Sequence, residues 1–564
     1  MKKMLSLLLC AVLLSGCSNT VTEVTVPPTA PSEPAALPQV SVETSSAPEY
    51  VSRFDTVTEI LLSDNGITVN GGEETDAVFT SHDIIYYEDK TTYDSGNPYG
   101  EGTDADKHSA EEAAVHTVVN ITAPGAYRIT GSLSAGQIRI DLGEDAYEDP
   151  NAVAELILQD ASVTCSVAPA ILFLNTYECD GMWSEDSAKP DVDTSAAGAN
   201  LILEGSSTVN GAYVAKIFKD KDGEKKLWKQ DGAIYSYMSL NVFGPGSLEL
   251  NADNEGLDTE LHLTINGGDL VINSGNDGIN TNEDGVSVTT INGGNVTIHA
   301  GLGAEGDGID SNGYLVINGG TVISSAKPIA DAGLDSDLGS FIHGGTVIAT
   351  GSTMDWAESD SHQVTMNLQF TSQQSAGSKV TVATTDGTEI FSYEDDGANS
   401  RGFSGLILSH AAFRQGETYH IYVDGVQMAY TGTDVGGFGP GGFPGRPGGM
   451  PEDFDPENMP EGFNPGQMPE GFDPAQMGGG RGQRSKGEGR TPPEGFDPEN
   501  MPEGFGNFDP ENMPDGFNGQ MPEGMTPPEG GFGGRNPQNG QTGEPSTDFY
   551  MNDMVNSFSG VSAA

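Results

Sequence analysis

The chain has 564 residues and a formal net charge of −59, with 83 Asp plus Glu against 24 Lys plus Arg. That balance excludes nucleic acid as a partner, because phosphate binding needs clustered positive charge. The length allows two or three domains, and the acid excess points to a solvating surface or to divalent cations, of which hard calcium best matches carboxylate and carbonyl oxygens.

In chain order, residues 1–17 read as an export signal. Lys2 and Lys3 precede a short apolar run that ends in Leu14-Ser15-Gly16-Cys17. The run is too short to span a bilayer comfortably. Leu-Ser-Gly-Cys resembles the bacterial lipobox, which implies cleavage before Cys17, lipidation of its sulfur, and a membrane lipoprotein on the extracytoplasmic face. No later stretch is apolar enough to cross a bilayer. Residues 18–50, with "VPPTAPSEPAALP", read as a flexible linker. Beyond Cys17 the cysteines are Cys165 and Cys179, and their spacing leaves both a disulfide and two free thiols open.

From about 51 to 432, short β-branched segments alternate with Gly/Asn/Asp turns, with a turn or two of helix at "SAEEAAVH" (109–116). Composition changes at about 433, where near-copies of Met-Pro-Glu-Gly-Phe begin. Pro and Gly recur too often for regular structure and apolar residues are too sparse for a core. Residues 433–564 therefore read as a disordered acidic tail with a small basic island at 478–490 and no identified partner.

Two motifs repeat in phase. The turns "TINGGDLVI", "TINGGNVTI", "VINGGTVI" and "FIHGGTVI" place Gly267, Gly293, Gly319 and Gly344 at steps of 26, 26 and 25 residues. "VFGPGSLEL", with Gly244, reads as an imperfect earlier copy. Ahead of the turns stand "EGLDTE" (255–260), "DGINTN" (277–282), "DGIDSN" (307–312) and "AGLDSD" (332–337). The copy at 278 carries four extra residues before its turn. A period near 25 with several short strands predicts an all-β parallel β-helix over 51–365, closed by further strands over 366–432 and flanked by the disordered segments.

Stacked repeats turn equivalent positions into rows about 4.8 Å apart. Leu257, Ile279, Ile309 and Leu334 form one predicted inner row, and Ile265, Ile291, Ile317 and Ile342 another. Asp258, Asn280, Asp310 and Asp335 form an outward column. Glu260, Asn282, Asn312 and Asp337 stand two residues along on the same face, and Glu255, Asp277 and Asp307 lie just before. Carboxylates about 5 Å apart repel by roughly 3 kcal/mol per pair at an effective dielectric near 20. The column therefore predicts raised pKa values or bound cations, and its oxygen donors suit two to four calcium ions. The same residue types also suit a metal-free turn ladder.

The segments at 121–142, 156–164, 168–173, 201–212, 231–250 and 404–425 follow one another around these repeats. The series resembles bacterial surface carbohydrate-binding proteins with a right-handed parallel β-helix similar to polysaccharide lyases. The resemblance implies binding of cellulose or acidic plant sugars, bound calcium and no evident lyase activity. "AYVAKIFKDKDGEKKLWKQ" (212–230) breaks the repeat spacing and reads as a protruding loop. Trp228, Lys225 and Lys226 there could stack on a sugar ring and pair with its carboxylate. Trp183 and Trp356 are further aromatic candidates.

The reading is a membrane-anchored lipoprotein whose calcium-stabilised β-helix binds polysaccharide without cutting it. The alternatives are a calcium-dependent, pectate-type lyase and a structural spacer that presents the tail. A lyase needs a base, and Lys327 is the sole Lys or Arg between 231 and 350. His262, His299 and His343 are too scattered to pair by sequence.

Overall fold

The repeat predicts strands that pair in parallel with their counterparts one period on, and the strands do so. The computed structural model describes residues 50–87, 105–181, 187–219, 226–303, 306–328, 331–352, 355–395, 397–433 and 544–564. Among them the fold is mostly β, built on long parallel sheets. The predicted helical segment is one turn, Ala110–Ala114. Ser109 accepts from the Glu112 N–H and the Glu112 carboxylate accepts from the Ser109 N–H, a capping box. The export signal with Cys17, the linker as far as residue 49, Trp183 and Lys225 lie outside the described residues. Among those residues no helix is long and apolar enough to cross a membrane.

A nine-stranded sheet carries the "DG" motifs. Its strands Glu255–Thr259, Ile279–Thr281, Ile309–Ser311 and Leu334–Ser336 pair in parallel, with Leu257, Ile279, Ile309 and Leu334 in register. All four side chains are fully buried. The larger sheet carries the turns, and Ile265, Ile291, Ile317 and Ile342 are likewise in register and buried. Each such side chain contributes about 1.5–3 kcal/mol on burial, and it does so only against the row above and below. The imperfect copy is real. Leu240–Phe243 pairs with Leu263–Ile265, and Ser247–Ala252 pairs with Asp269–Ser274. The offset between neighbouring repeats grows from 22 residues at Thr259 and Thr281 to 26 at Leu263 and Thr289, so the four extra residues sit between them.

Glycine serves two purposes here. At the turns the second glycine of each pair has positive φ, from 79° at Gly320 to 99° at Gly268, which a side chain would strain. In the "DG" motif the reason is close approach. A Cβ on Gly308 would collide with Ser324 Oγ and the Gly333 carbonyl on the next repeat. Gly308→Ala should therefore cost about 1–3 kcal/mol by overpacking, read as a lower denaturant midpoint at unchanged m-value.

After Gly351 the pairing becomes mainly antiparallel and a second core forms, including Met366, Leu368, Val382, Leu406, Leu408 and Ile421. The end of the chain belongs to it. The expectation of disorder over 433–564 fails at residues 544–564, where Phe549–Tyr550 pairs with Thr418–Tyr419. There Val555–Ala563 pairs in parallel with the strand from Thr365 and antiparallel with Met428–Ala429. Phe549, Met551, Phe558 and Val561 are buried. Proline ends at Pro545 and apolar residues return beyond it, a local change hidden by the average composition of the tail.

The predicted loop at 212–230 is instead a two-stranded antiparallel hairpin, Val214–Lys219 with Lys226–Gln230. It sets Lys226 opposite Lys219 and Trp228 opposite Ile217. Trp356 packs partly buried against the main core and is not a displayed aromatic. Cys165 and Cys179 are free thiols, the first buried and the second half-buried.

Candidate metal centre

Strand alternation places Asp258 on the face opposite Leu257. The parallel register then aligns Tyr235, Asp258, Asn280, Asp310 and Asp335 in one column. The second predicted column continues the same ladder. Asn282 N–H donates to the Thr259 carbonyl, Asn312 N–H to Thr281 and Asp337 N–H to Ser311, at 2.9, 3.0 and 3.0 Å. Gly256 N–H and Gly278 N–H donate to the carbonyls of Asp277 and Asp307, which stacks Glu255, Asp277 and Asp307. The three predicted rows are therefore in place. Their setting differs from an exposed face, because Glu255 is 4% and Asp258 0% exposed.

Burial without full pairing decides the electrostatics. Desolvation first and the Asp231 carboxylate second push the Glu255 carboxyl up to about 7. Burial and then Glu255 push Asp258 well above the usual carboxylate range. Burial raises Glu260, which accepts a bond from the Tyr235 hydroxyl. Lys229, at the hairpin base, pairs with Asp231 at 2.8 Å and donates to Asn282 Oδ1 at 3.2 Å.

An oriented amide relay aims the remaining oxygens. Asn280 Nδ2 donates to Asn282 Oδ1 at 3.2 Å, and Asn282 Nδ2 donates to Asp258 Oδ1 at 2.6 Å. Glu255 Oε2, Asp258 Oδ2 and Asn280 Oδ1 are left buried with no hydrogen-bond partner. Unpaired buried acceptors are costly, on the order of 1–3 kcal/mol each and more when charged. Asp231, Glu255 and Asp258 also bring ligand oxygens within 4.8 Å of one another, the one such group of three His, Cys, Asp or Glu among the described residues. Orphaned oxygen donors converging with no sulfur or nitrogen ligand fit a hard divalent cation.

The remaining predicted residues stack above this triad without such tight convergence. Asp307 N–H donates to Asp277 Oδ1 at 2.7 Å, so Asp277 supports the next repeat. Burial, then Asp307, raises the Asp277 carboxyl well above its usual range, and burial, then Asp277 and Asp335, does the same to Asp310. Asn312 Nδ2 donates to the Asn282 carbonyl at 2.6 Å. Lys327 Nζ donates to the Gly303 carbonyl at 2.6 Å. The histidines serve separate contacts. His262 Nε2 lies 3.3 Å from Asp180, His299 Nε2 lies 3.7 Å from Asp395, and His343 stacks on His362 at 4.1 Å.

Two acids escaped the sequence reading. Asp231 belongs to an earlier "DG" pair whose register is one residue off, with Gly232 opposite Glu255. That dipeptide was the available signal. Asp355 lies outside the repeat, and its Oδ2 accepts from the Ser336 N–H at 3.1 Å. Burial and the facing Asp335 carboxylate push it up to about 9.

A sequence model described as a carbohydrate-binding domain-containing protein matches residues 116–407. A protein of Acetivibrio thermocellus with the same description is 27% identical over 153 residues, 27% of this chain and 43% of that protein. The chain thus matches less than half of that relative's length. The solved polysaccharide lyase-like protein from C. thermocellum, as its gadolinium derivative, covers 51% of this chain and 93% of that one. The identity is 18% and the TM-score 0.30, a likeness too loose to argue from.

Proposed function

The chain belongs to the carbohydrate-binding domain family, and from that premise we propose that it binds polysaccharide without cutting it, as a lipoprotein held to the membrane through Cys17. The observation that carries the reading is that the matched segment, 116–407, contains every strand of the acid column. The parallel pairing of each repeat with the next, at steps of 26, 26 and 25 residues along Ile265, Ile291, Ile317 and Ile342, and the buried in-register rows support a right-handed parallel β-helix as the winding. Calcium is the cation best suited to Asp231, Glu255, Asp258 and Asn280 Oδ1. Once bound, it would offset the negative charge of the column, which otherwise repels the carboxylate of an acidic sugar. The chain's own residues orient the donors, exclude water from them and, through Lys229, neutralise part of the excess charge.

A lyase would require a side chain that accepts a proton from the sugar. Lys327, the candidate base, is instead a hydrogen-bond donor to Gly303. The test combines retention and chemistry. Immobilised protein should retain polygalacturonate in the presence of calcium, release most of it to chelator, and leave its length unchanged. Unsaturated uronate products absorb in the near ultraviolet. Such absorbance from the parent protein, lost in Lys327→Ala, would overturn the binder reading. Membrane fractionation of Cys17→Ala checks the anchor, which should release protein or leave an uncleaved precursor. Normal processing with full membrane retention would refute it.

A further inference from the structure

A second ladder runs along the larger sheet. Thr164, Asn210, Asn251 and Asn273 hold equivalent positions on adjacent parallel strands. Asn210 Nδ2 donates to Thr164 Oγ1 at 3.0 Å, Asn251 Nδ2 to Asn210 Oδ1 at 3.0 Å, and Asn273 Nδ2 to Asn251 Oδ1 at 2.9 Å. The segment before the strand Phe403–Ser409 crosses the end of this ladder. Asn399 Nδ2 donates to Asn273 Oδ1 at 2.8 Å, and the Arg401 guanidinium donates to the Gly301 carbonyl at 3.0 Å. Ladder and crossing segment enclose an open groove of about 420 Å³.

The lining states what would fit. A side-chain amide has two N–H donors and two acceptor lone pairs. Asn210 spends one N–H on Thr164 and one lone pair on Asn251, which leaves a donor and an acceptor. Asn251, whose second N–H reaches Glu249 at 3.5 Å, keeps one lone pair, and Asn273, whose Oδ1 meets both His299 Nδ1 at 3.2 Å and Asn399 Nδ2, keeps one N–H. Each strand thus offers a donor, an acceptor or both at the strand spacing, about 4.8 Å, which suits a ligand whose groups both donate and accept, as sugar hydroxyls do. Ala252 and Leu302, the latter 42% exposed at the rim, offer small apolar surfaces for the C–H faces of a ring. Among the described residues the lining holds no Lys, Arg or His, and Asp253 stands in the wall, so the groove disfavours an anion. Its volume lies within the roughly 300–1,000 Å³ of small-ligand sites.

We infer that the groove along the Thr164–Asn273 amide ladder is a subsite for an uncharged, hydroxyl-rich glycan segment. The inference rests on the reading of the protein as a glycan binder and adds a location and a ligand class separate from the acid column. The structure also contains its own control. Asn292 Nδ2 donates to Asn266 Oδ1 and Asn318 Nδ2 to Asn292 Oδ1, both at 2.9 Å, in a ladder at the Gly-Gly turns that lines no part of the groove.

The test is calorimetric titration of the full chain, in calcium, with a soluble cello-oligosaccharide and with an oligogalacturonate. Asn210→Ala should weaken the uncharged ligand about tenfold. Leu302→Arg, at an exposed position that folding does not need, should weaken it by a similar factor by blocking the mouth. Asn292→Ala should leave it unchanged, and chelation should spare it while reducing oligogalacturonate binding. Parent affinity in both groove variants, or an equal loss in Asn292→Ala, overturns the subsite. If Asn210→Ala does not fold, Leu302→Arg alone decides. Failure of the parent protein to bind either glycan overturns the underlying reading instead, so the two failures are distinguishable.

Discussion

Removing divalent cations with a chelator should lower the melting temperature, and adding calcium should restore it. A ligand that binds only the folded state stabilises by mass action, about 2.7 kcal/mol at one hundred times its Kd. For a domain of this size that is a shift of several degrees. Asp258→Asn sharpens the expectation, because it acts with opposite sign in the two states. Without metal it replaces a buried carboxyl that folding forces to take up a proton beside Glu255, and should raise the melting temperature near neutral pH. With calcium it weakens a ligand and should erase most of the calcium-dependent rise. Metal-stripped parent protein that melts identically with and without calcium would remove the cation from the account. Asp258→Asn that lowers the metal-free melting temperature would show that the Asp258 charge is already satisfied by the protein.

The pH dependence of the metal-free protein should run opposite to the usual one. Most folded carboxylates have depressed pKa values, so stability falls in acid. Here the buried acids have raised values, Glu255 to about 7 and Asp355 to about 9, with Asp258, Asp277 and Asp310 shifted the same way. Between the unfolded and folded pKa the native state holds the extra proton. Stability is therefore full below the ordinary carboxylate range and is lost as pH rises through the folded value. A rise from 4.5 to about 7 corresponds to a loss on the order of 3 kcal/mol from Glu255 alone. Denaturant midpoints of chelated protein should be higher at pH 5 than at pH 8, and calcium should narrow the gap by favouring the ionised forms. A metal-free midpoint that climbs from pH 5 to pH 8 would contradict the raised values.

The positions of the inner rows and the acid columns were legible in the sequence. Two motifs with one period lock their equivalent residues into the same rows once neighbouring strands pair in parallel, as Leu257 with Ile279 and Asp258 with Asn280 do. Periodicity is a local property, so it survives in one dimension. The all-β character, the four-residue insertion and the helical turn capped by Ser109 were legible for the same reason.

Tertiary structure alone decided the rest. Which oxygens stay unpaired depends on how the amides of Asn280 and Asn282 turn and on where Lys229 comes to rest, and both follow from contacts between separate repeats. Asp231 joins the triad through a register one residue out of phase, and Asp355 arrives from beyond the repeat. The last strand, Val555–Ala563, lies almost two hundred residues from its partner at Thr365, so no short-range pattern could announce the pairing. The asparagine ladder becomes a groove because Asn399 crosses it from distant chain. Period and residue type determined which side chains share a row. The burial, orientation and convergence of those side chains were decided by non-local packing, because desolvation and unpaired valence exist only once remote segments have closed over them.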